Sequence, residues 1–172
     1  QINKGIKFFI GYSMRYFVNT LNIARHFLKL GMLYNIRYLN YFKYLRAKAK
    51  AVKVNSEVKD IAGSIVYLDK STKHMYELNN KVRLIDVSVY PIKNADEFVG
   101  FVCGIISQDH DLEQVYLDSF LTTAKLEGKD VTGTLEQLNA VGEKFNVKFV
   151  VSMSLDKEEI PESLQDKIVT AL

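Results

Sequence analysis

A chain of 172 residues that is 48% apolar and 25% charged can bury one sizeable core, and two Pro with nine Gly argue against a long disordered tail. A single Cys excludes an intramolecular disulfide framework and a Cys-based zinc site within one chain, and favours a reducing intracellular compartment or a virion interior. The net charge of +3 is uneven: residues 1–56 hold eleven Lys and Arg and no Asp or Glu, whereas residues 57–172 hold twelve Lys and Arg against twenty Asp and Glu, so a +11 segment is joined to a −8 segment.

The basic segment also carries eleven aromatics, from Phe8 to Tyr44, and reads as two helices. Ile10, Met14, Phe17, Leu21, Ala24 and Leu28 recur at alternating spacings of four and three, one apolar face of a helix. Gly31 follows Lys29 as a plausible left-handed stop. A second helix is predicted from about Met32 to Val52, with a stripe of Tyr34, Tyr38, Tyr41 and Leu45 and a basic end. No run of about 18 apolar residues occurs, so no transmembrane helix is expected. The start lacks the apolar block of a secretory signal, and it is long and Ser-poor for a mitochondrial presequence.

From Ile61 the pattern changes. Ser64–Leu68 reads as a strand, with His74–Leu78 as its returning partner, and Arg83–Ile92 as a further strand ended by Pro91. Phe98–Ile106 is nearly all apolar and suits a central strand. A helix capped by Ser107 or Asp109 is predicted to run to about Glu127, and Thr134 with Gln137 has capping-box spacing for another, ending near Phe145. Val147–Met153 reads as a strand. Pro161 opens a last helix that docks through Ile168 and Leu172. This sums to an α+β fold: an antiparallel or mixed sheet of four to five strands with helices on one face, preceded by a basic N-terminal helical hairpin. The boundary falls at the switch in charge and periodicity, with residues 1–52 a basic aromatic helical arm and residues 53–172 the α+β domain.

The chemistry-bearing residues are few. Asp109-His110-Asp111 is where a His meets carboxylates, and acids at a helix start explain it better than a metal. Cys103 reads as a small buried hydrophobe on the Phe98–Ile106 strand. Gly128 to Gly133 lacks the Gly-Lys-Ser/Thr ending of a phosphate loop and reads as a turn. No catalytic, metal or cofactor residue is assigned, and an enzyme is disfavoured. Arg37, Lys43, Arg46, Lys50 and Lys53 form the expected partner-binding basic face.

The reading is therefore a non-enzymatic structural or interaction protein whose arm docks on an acidic protein surface, its own subunit in a homo-oligomer included, or on nucleic acid. The opening Gln1 in place of Met fits a proteolytically matured virion component of phage type. A peripheral protein on an anionic membrane surface is the alternative class, and a small enzyme of unknown class the third.

Overall fold

The computed structural model describes residues 7–10, 53–155 and 159–171, with side chains for 53–155 and 159–168. Among the described residues, six strands form one sheet. They are β1 (Lys7–Ile10), β2 (Ser64–Asp69), β3 (Val82–Asp86), β4 (Leu112–Leu117), β5 (Lys148–Met153) and β6 (Ile168–Ala171), in the spatial order β3-β2-β4-β5-β1-β6. Strands β2 to β5 make the body of the sheet, and β1 and β6, four residues each, extend it beyond β5. Every pairing is parallel. The helices are α1 (Ala95–Gln108), α2 (Phe120–Thr123), α3 (Thr132–Phe145) and α4 (Glu162–Gln165). Residues 53–57 form a further helical segment before β2.

The parallel sheet corrects the expected antiparallel or mixed one. Two misread elements account for it. Phe98–Ile106 lies in helix α1, not in a strand. Phe98, Val102, Ile105 and Ile106 are its buried positions, and that spacing of four, three and one is one face of a helix. Asn94 caps it by accepting from the Glu97 N–H at 2.9 Å, and Glu97 answers by accepting from the Lys93 N–H at 2.7 Å. Leu112–Leu117, expected inside a helix, is instead strand β4, whose burial is nearly continuous because both faces are covered. Exchanging these two assignments turns a meander into alternating strand–helix–strand units, and such units build parallel sheets.

Smaller corrections follow the same logic. Residues 72–78 are turns and not a returning strand, and β3 stops at Asp86, whose side chain accepts from the Ser88 N–H and turns the chain into a 3₁₀ segment over Val87–Val89. Helix α3 and strand β5 lie where the sequence places them, although the cap at α3 comes from Asp130 receiving the Thr132 N–H and hydroxyl rather than from Thr134. The chain after Lys167 forms strand β6, not a helix. Ile10 lies in β1 and so leaves the predicted apolar helix face; the rest of that face, Met14 to Leu28, and the second predicted helix fall outside the described residues.

Two apolar layers sandwich the sheet. Val66, Leu68, Val115, Leu117, Phe149 and Val151 face α1 and α3, where Phe98, Val102, Leu135 and Leu138 cover them. Their alternating neighbours Ile65, Tyr67, Tyr116 and Val150 face the other way, against Val54 and Val58. This division fits right-handed crossovers. Connections that step from β3 to β4 and from β4 to β5 run in one direction along the sheet and place α1 and α3 on one face. The β2-to-β3 connection runs in the opposite direction and so falls on the other.

Gly63 shows how tightly the start of β2 is held. A Cβ there would overlap the Asp111 carbonyl oxygen and meet the Glu113 side chain at 2.9 Å. Gly100 and Gly104 of α1 have nothing within 4 Å of the same position. Gly63→Ala should therefore destabilise by about 1–3 kcal/mol, while Gly104→Ala should be neutral or stabilise by up to about 1 kcal/mol through its helix preference. Urea unfolding of both variants checks this; a destabilised Gly104→Ala would count against helix α1.

Candidate functional site

In a parallel α/β sheet, ligands bind beyond the carboxyl ends of the strands, where neighbouring strands send their connections in opposite directions. Here β2 and β4 are neighbours. The connection after β2 leads outward to β3, and the one after β4 leads the other way to β5. The crevice between their ends is thus the position to search.

Asp69 closes β2 and Asp118 follows β4 directly. The register Leu68↔Leu117 sets these two acids side by side, and the Asp118 N–H donates to the Leu68 carbonyl at 2.8 Å. Both are buried, at 3% and 4% exposure. His74, from the β2–β3 connection, completes the group: Asp69, His74 and Asp118 each offer a ligand atom, all within 4.8 Å of one another. These are three potential donors from three places in the sequence, brought together by the sheet.

Outer contacts hold each member. The Tyr67 hydroxyl donates to Asp118 Oδ2 at 2.7 Å and the Ser119 N–H to Asp118 Oδ1 at 2.7 Å. The Lys70 N–H donates to Asp69 Oδ1 at 2.7 Å. His74 Nδ1 lies 3.1 Å from Glu77 Oε2. A carboxylate only accepts, so Nδ1 carries the hydrogen and Nε2 is turned toward Asp69 Oδ2, 3.8 Å away. Asn55 in turn pins this loop, donating to the Glu77 carbonyl at 2.8 Å and accepting from the Asn79 N–H at 2.7 Å. Ser119 has a left-handed backbone, φ 52 and ψ 40, which costs a non-glycine residue energy and here turns the chain sharply at the crevice.

The electrostatics are those of a strained pair. Burial and then the neighbouring Asp118 charge push the Asp69 carboxyl above its ordinary value, against the pull of the Lys70 N–H, Ser119 and His74. Burial, and then Asp118, likewise drive the Tyr67 hydroxyl far up, so it serves only as a neutral donor.

A second polar group sits lower on the same face and is fully matched. Glu57 Oε2 accepts from Gln114 Nε2 at 2.6 Å, the Tyr116 hydroxyl at 2.9 Å and Lys148 Nζ at 3.0 Å. Burial works to raise Glu57, but these hydrogen bonds outweigh it and hold the carboxyl below its ordinary value. Tyr67 and Tyr116 stack at 5.8 Å between the two groups. This is a structural clamp joining residues 53–57 to β4 and β5.

The residues singled out from the sequence lie elsewhere. Asp109, His110 and Asp111 end α1 rather than start a helix, and they sit at the amino-terminal edge of β2 and β4, opposite the crevice. Asp109 accepts from the Ser64 hydroxyl at 2.6 Å and His110 is exposed. Cys103 is half-buried on α1, not enclosed on a strand. Of Arg37, Lys43, Arg46, Lys50 and Lys53, only Lys53 is among the described residues, half-buried in the segment 53–57. Asp69, His74 and Asp118 were not expected from the sequence. The available signal is an Asp closing each of two apolar runs, which is informative only once both runs are known to be parallel neighbours. Among the described residues no helix is long and apolar enough to cross a membrane. No protein-family model matches this chain, and no curated protein matches it.

The Glu57 clamp has a defined pH dependence. Its folded value is depressed, so its stabilising contribution is complete above the ordinary value of 4.5 and is lost as pH falls through the lower folded value. Glu57→Gln should cost about 1–2 kcal/mol at neutral pH and progressively less in acid. Thermal melts of the two proteins across that range should converge at low pH; parallel curves would show that the charge contributes nothing.

Proposed function

We propose that the six-stranded parallel sheet, β1 included, and its helices form a small-molecule-binding α/β domain whose site lies beyond the carboxyl ends of β2 and β4. One observation carries this reading: two nearly buried carboxylates and an imidazole converge at the point where the strand connections diverge. Structural needs alone do not favour the arrangement. A buried like-charge pair is destabilising, and a sheet core gains nothing from it that Asn or Ser would not provide. A site kept at a cost to stability is what binding sites commonly show.

The test is amide hydrogen exchange on the full chain with a panel of nucleotides, sugar phosphates and amino acids, each with and without divalent cations. At least one compound should slow exchange in residues 68–76 and 117–121. If none alters that crevice, the reading fails.

A second reading concerns the remainder of the sequence. Residues 1–56 carry +11 and residues 57–172 carry −8. That asymmetry supports docking of the basic segment on an acidic protein surface, with the acidic part of a second copy as one such surface. An ordinary solvated face mixes both signs. Arg46→Glu, Lys50→Glu and Lys53→Glu combined should abolish self-association, and the association of the unaltered chain should weaken steeply with salt in sedimentation velocity. A salt-independent monomer would sink this reading, and salt-sensitive binding of nucleic acid by the monomer would replace it with another.

A further inference from the structure

We propose that Asp69, His74 and Asp118 bind one divalent first-row ion, Mn2+ or Zn2+, and that the ion offers its open positions to an oxyanion of the crevice ligand. The second clause rests on the ligand-binding reading above; the first does not.

The donor set comes first. Two carboxylate oxygens with one imidazole nitrogen suit Mn2+ or Zn2+, whereas Ca2+ and Mg2+ prefer oxygen alone. The three donor atoms already lie within 4.8 Å of one another. Ligands at about 2.0–2.2 Å from one ion lie roughly 3–3.6 Å apart, so side-chain rotations that close the donors by about 1 Å would complete the site. Three protein ligands also leave positions free, as in metal sites that act on a bound molecule rather than merely bracing a fold.

The orientation of His74 is an independent observation. Its Nδ1–H is engaged by Glu77 at 3.1 Å, the outer carboxylate typical of a metal-bound imidazole. The free ring nitrogen, Nε2, is aimed at Asp69 Oδ2 from 3.8 Å. That is too long for a hydrogen bond. In a neutral ring it would also set one lone pair against another, an arrangement that a cation bound between them relieves. Asn55 fixes the loop that carries both His74 and Glu77. The carboxylates are similarly braced from behind. The Tyr67 hydroxyl and the Ser119 N–H hold Asp118, and the Lys70 N–H holds Asp69. An ion would also remove the repulsion between two acids that are 3% and 4% exposed.

The location is the third observation, and it does not depend on the donors. The ion would sit at the diverging ends of β2 and β4, the position at which parallel α/β sheets bind their ligands. Two acids alone would repel a phosphate or carboxylate. With a divalent ion between them, the same edge attracts one.

The experiment is a Mn2+ titration of the full chain, followed by electron paramagnetic resonance and by paramagnetic broadening of backbone amides, with Zn2+ displacement as a second readout. One Mn2+ should bind and broaden amides at residues 69–74 and 117–119. Asp118→Asn and His74→Gln should lose this binding, and Asp109→Asn, at the opposite edge of the sheet, should keep it. Glu77→Gln should weaken it about 10- to 100-fold while leaving all three ligands in place, which keeps the test informative if a ligand variant fails to fold. Absence of Mn2+ and Zn2+ binding at millimolar ion, or binding that survives Asp118→Asn, overturns the proposal. A compound that protects the crevice in the presence of chelator would overturn the cation site yet support the ligand reading. Ion binding with no compound protecting the crevice would do the reverse.

Discussion

The parallel pairing of β2 with β4 is the constraint on which the rest of the molecule depends. Its register, Tyr67↔Tyr116 and Leu68↔Leu117, decides what stands next to what at three levels. Within the strands it aligns Val66 with Val115 and Leu68 with Leu117, building the apolar layer that α1 and α3 cover. On the other face it stacks Tyr67 on Tyr116 and leaves Gln114 to meet Glu57. Beyond the last pair it delivers Asp69 and Asp118 to the same point. A slip of one residue would exchange the two faces of a strand, so the fold and the candidate site are set by one choice.

The two polar groups on the Tyr67–Tyr116 face differ in a way that separates scaffold from site. Glu57 has a cation and two neutral donors directed at one oxygen, and the outcome is a depressed carboxyl and a clamp between the segment 53–57 and the sheet. Asp69 has a like charge beside it, and its carboxyl moves the other way. Desolvation raises both carboxyls. At Glu57 the hydrogen bonds from Gln114, Lys148 and Tyr116 outweigh it, whereas at Asp69 the Asp118 charge adds to it. Conformational strain falls at the same end: Ser119, next to Asp118, is in the left-handed region. Paired buried acids, backbone strain and diverging connections coincide at the end of β4.

How much of this was readable in advance depended on length and on caps. β2, α3 and β5 were legible because each combines a clear period with clear ends. α1 was not, because Phe98–Ile106 is so apolar that a buried strand and a helix packed against a sheet give the same string. The deciding signal was upstream, in the spacing of Asn94 and Glu97, which makes a reciprocal cap. β4 failed in the opposite sense. Leu112, Val115 and Tyr116 mimic a helical spacing, but a strand covered on both faces need not alternate. With those two elements exchanged, an antiparallel reading was inevitable. The cluster itself was beyond any one-dimensional reading. Asp69 and Asp118 are 49 positions apart, and nothing local to either indicates the other. The loop holding His74 is likewise placed by Asn55, a residue from an earlier segment.

The partition of charge along the chain acquires a different meaning once the sheet is known. As a string, an acid-free segment followed by an acidic one suggests two units seeking opposite partners. In space, β1 lies in the sheet with its last residue, Ile10, at the same carboxyl edge as Asp69 and Asp118. The sequence that continues from Ile10 to Ser56 contains no Asp or Glu. The basic segment is therefore not a separate unit at its start, because β1 is a strand of the sheet itself. An acidic surface that attracted this segment would be attached to the fold through β1, by an interaction that acts over a Debye length and is screened by salt.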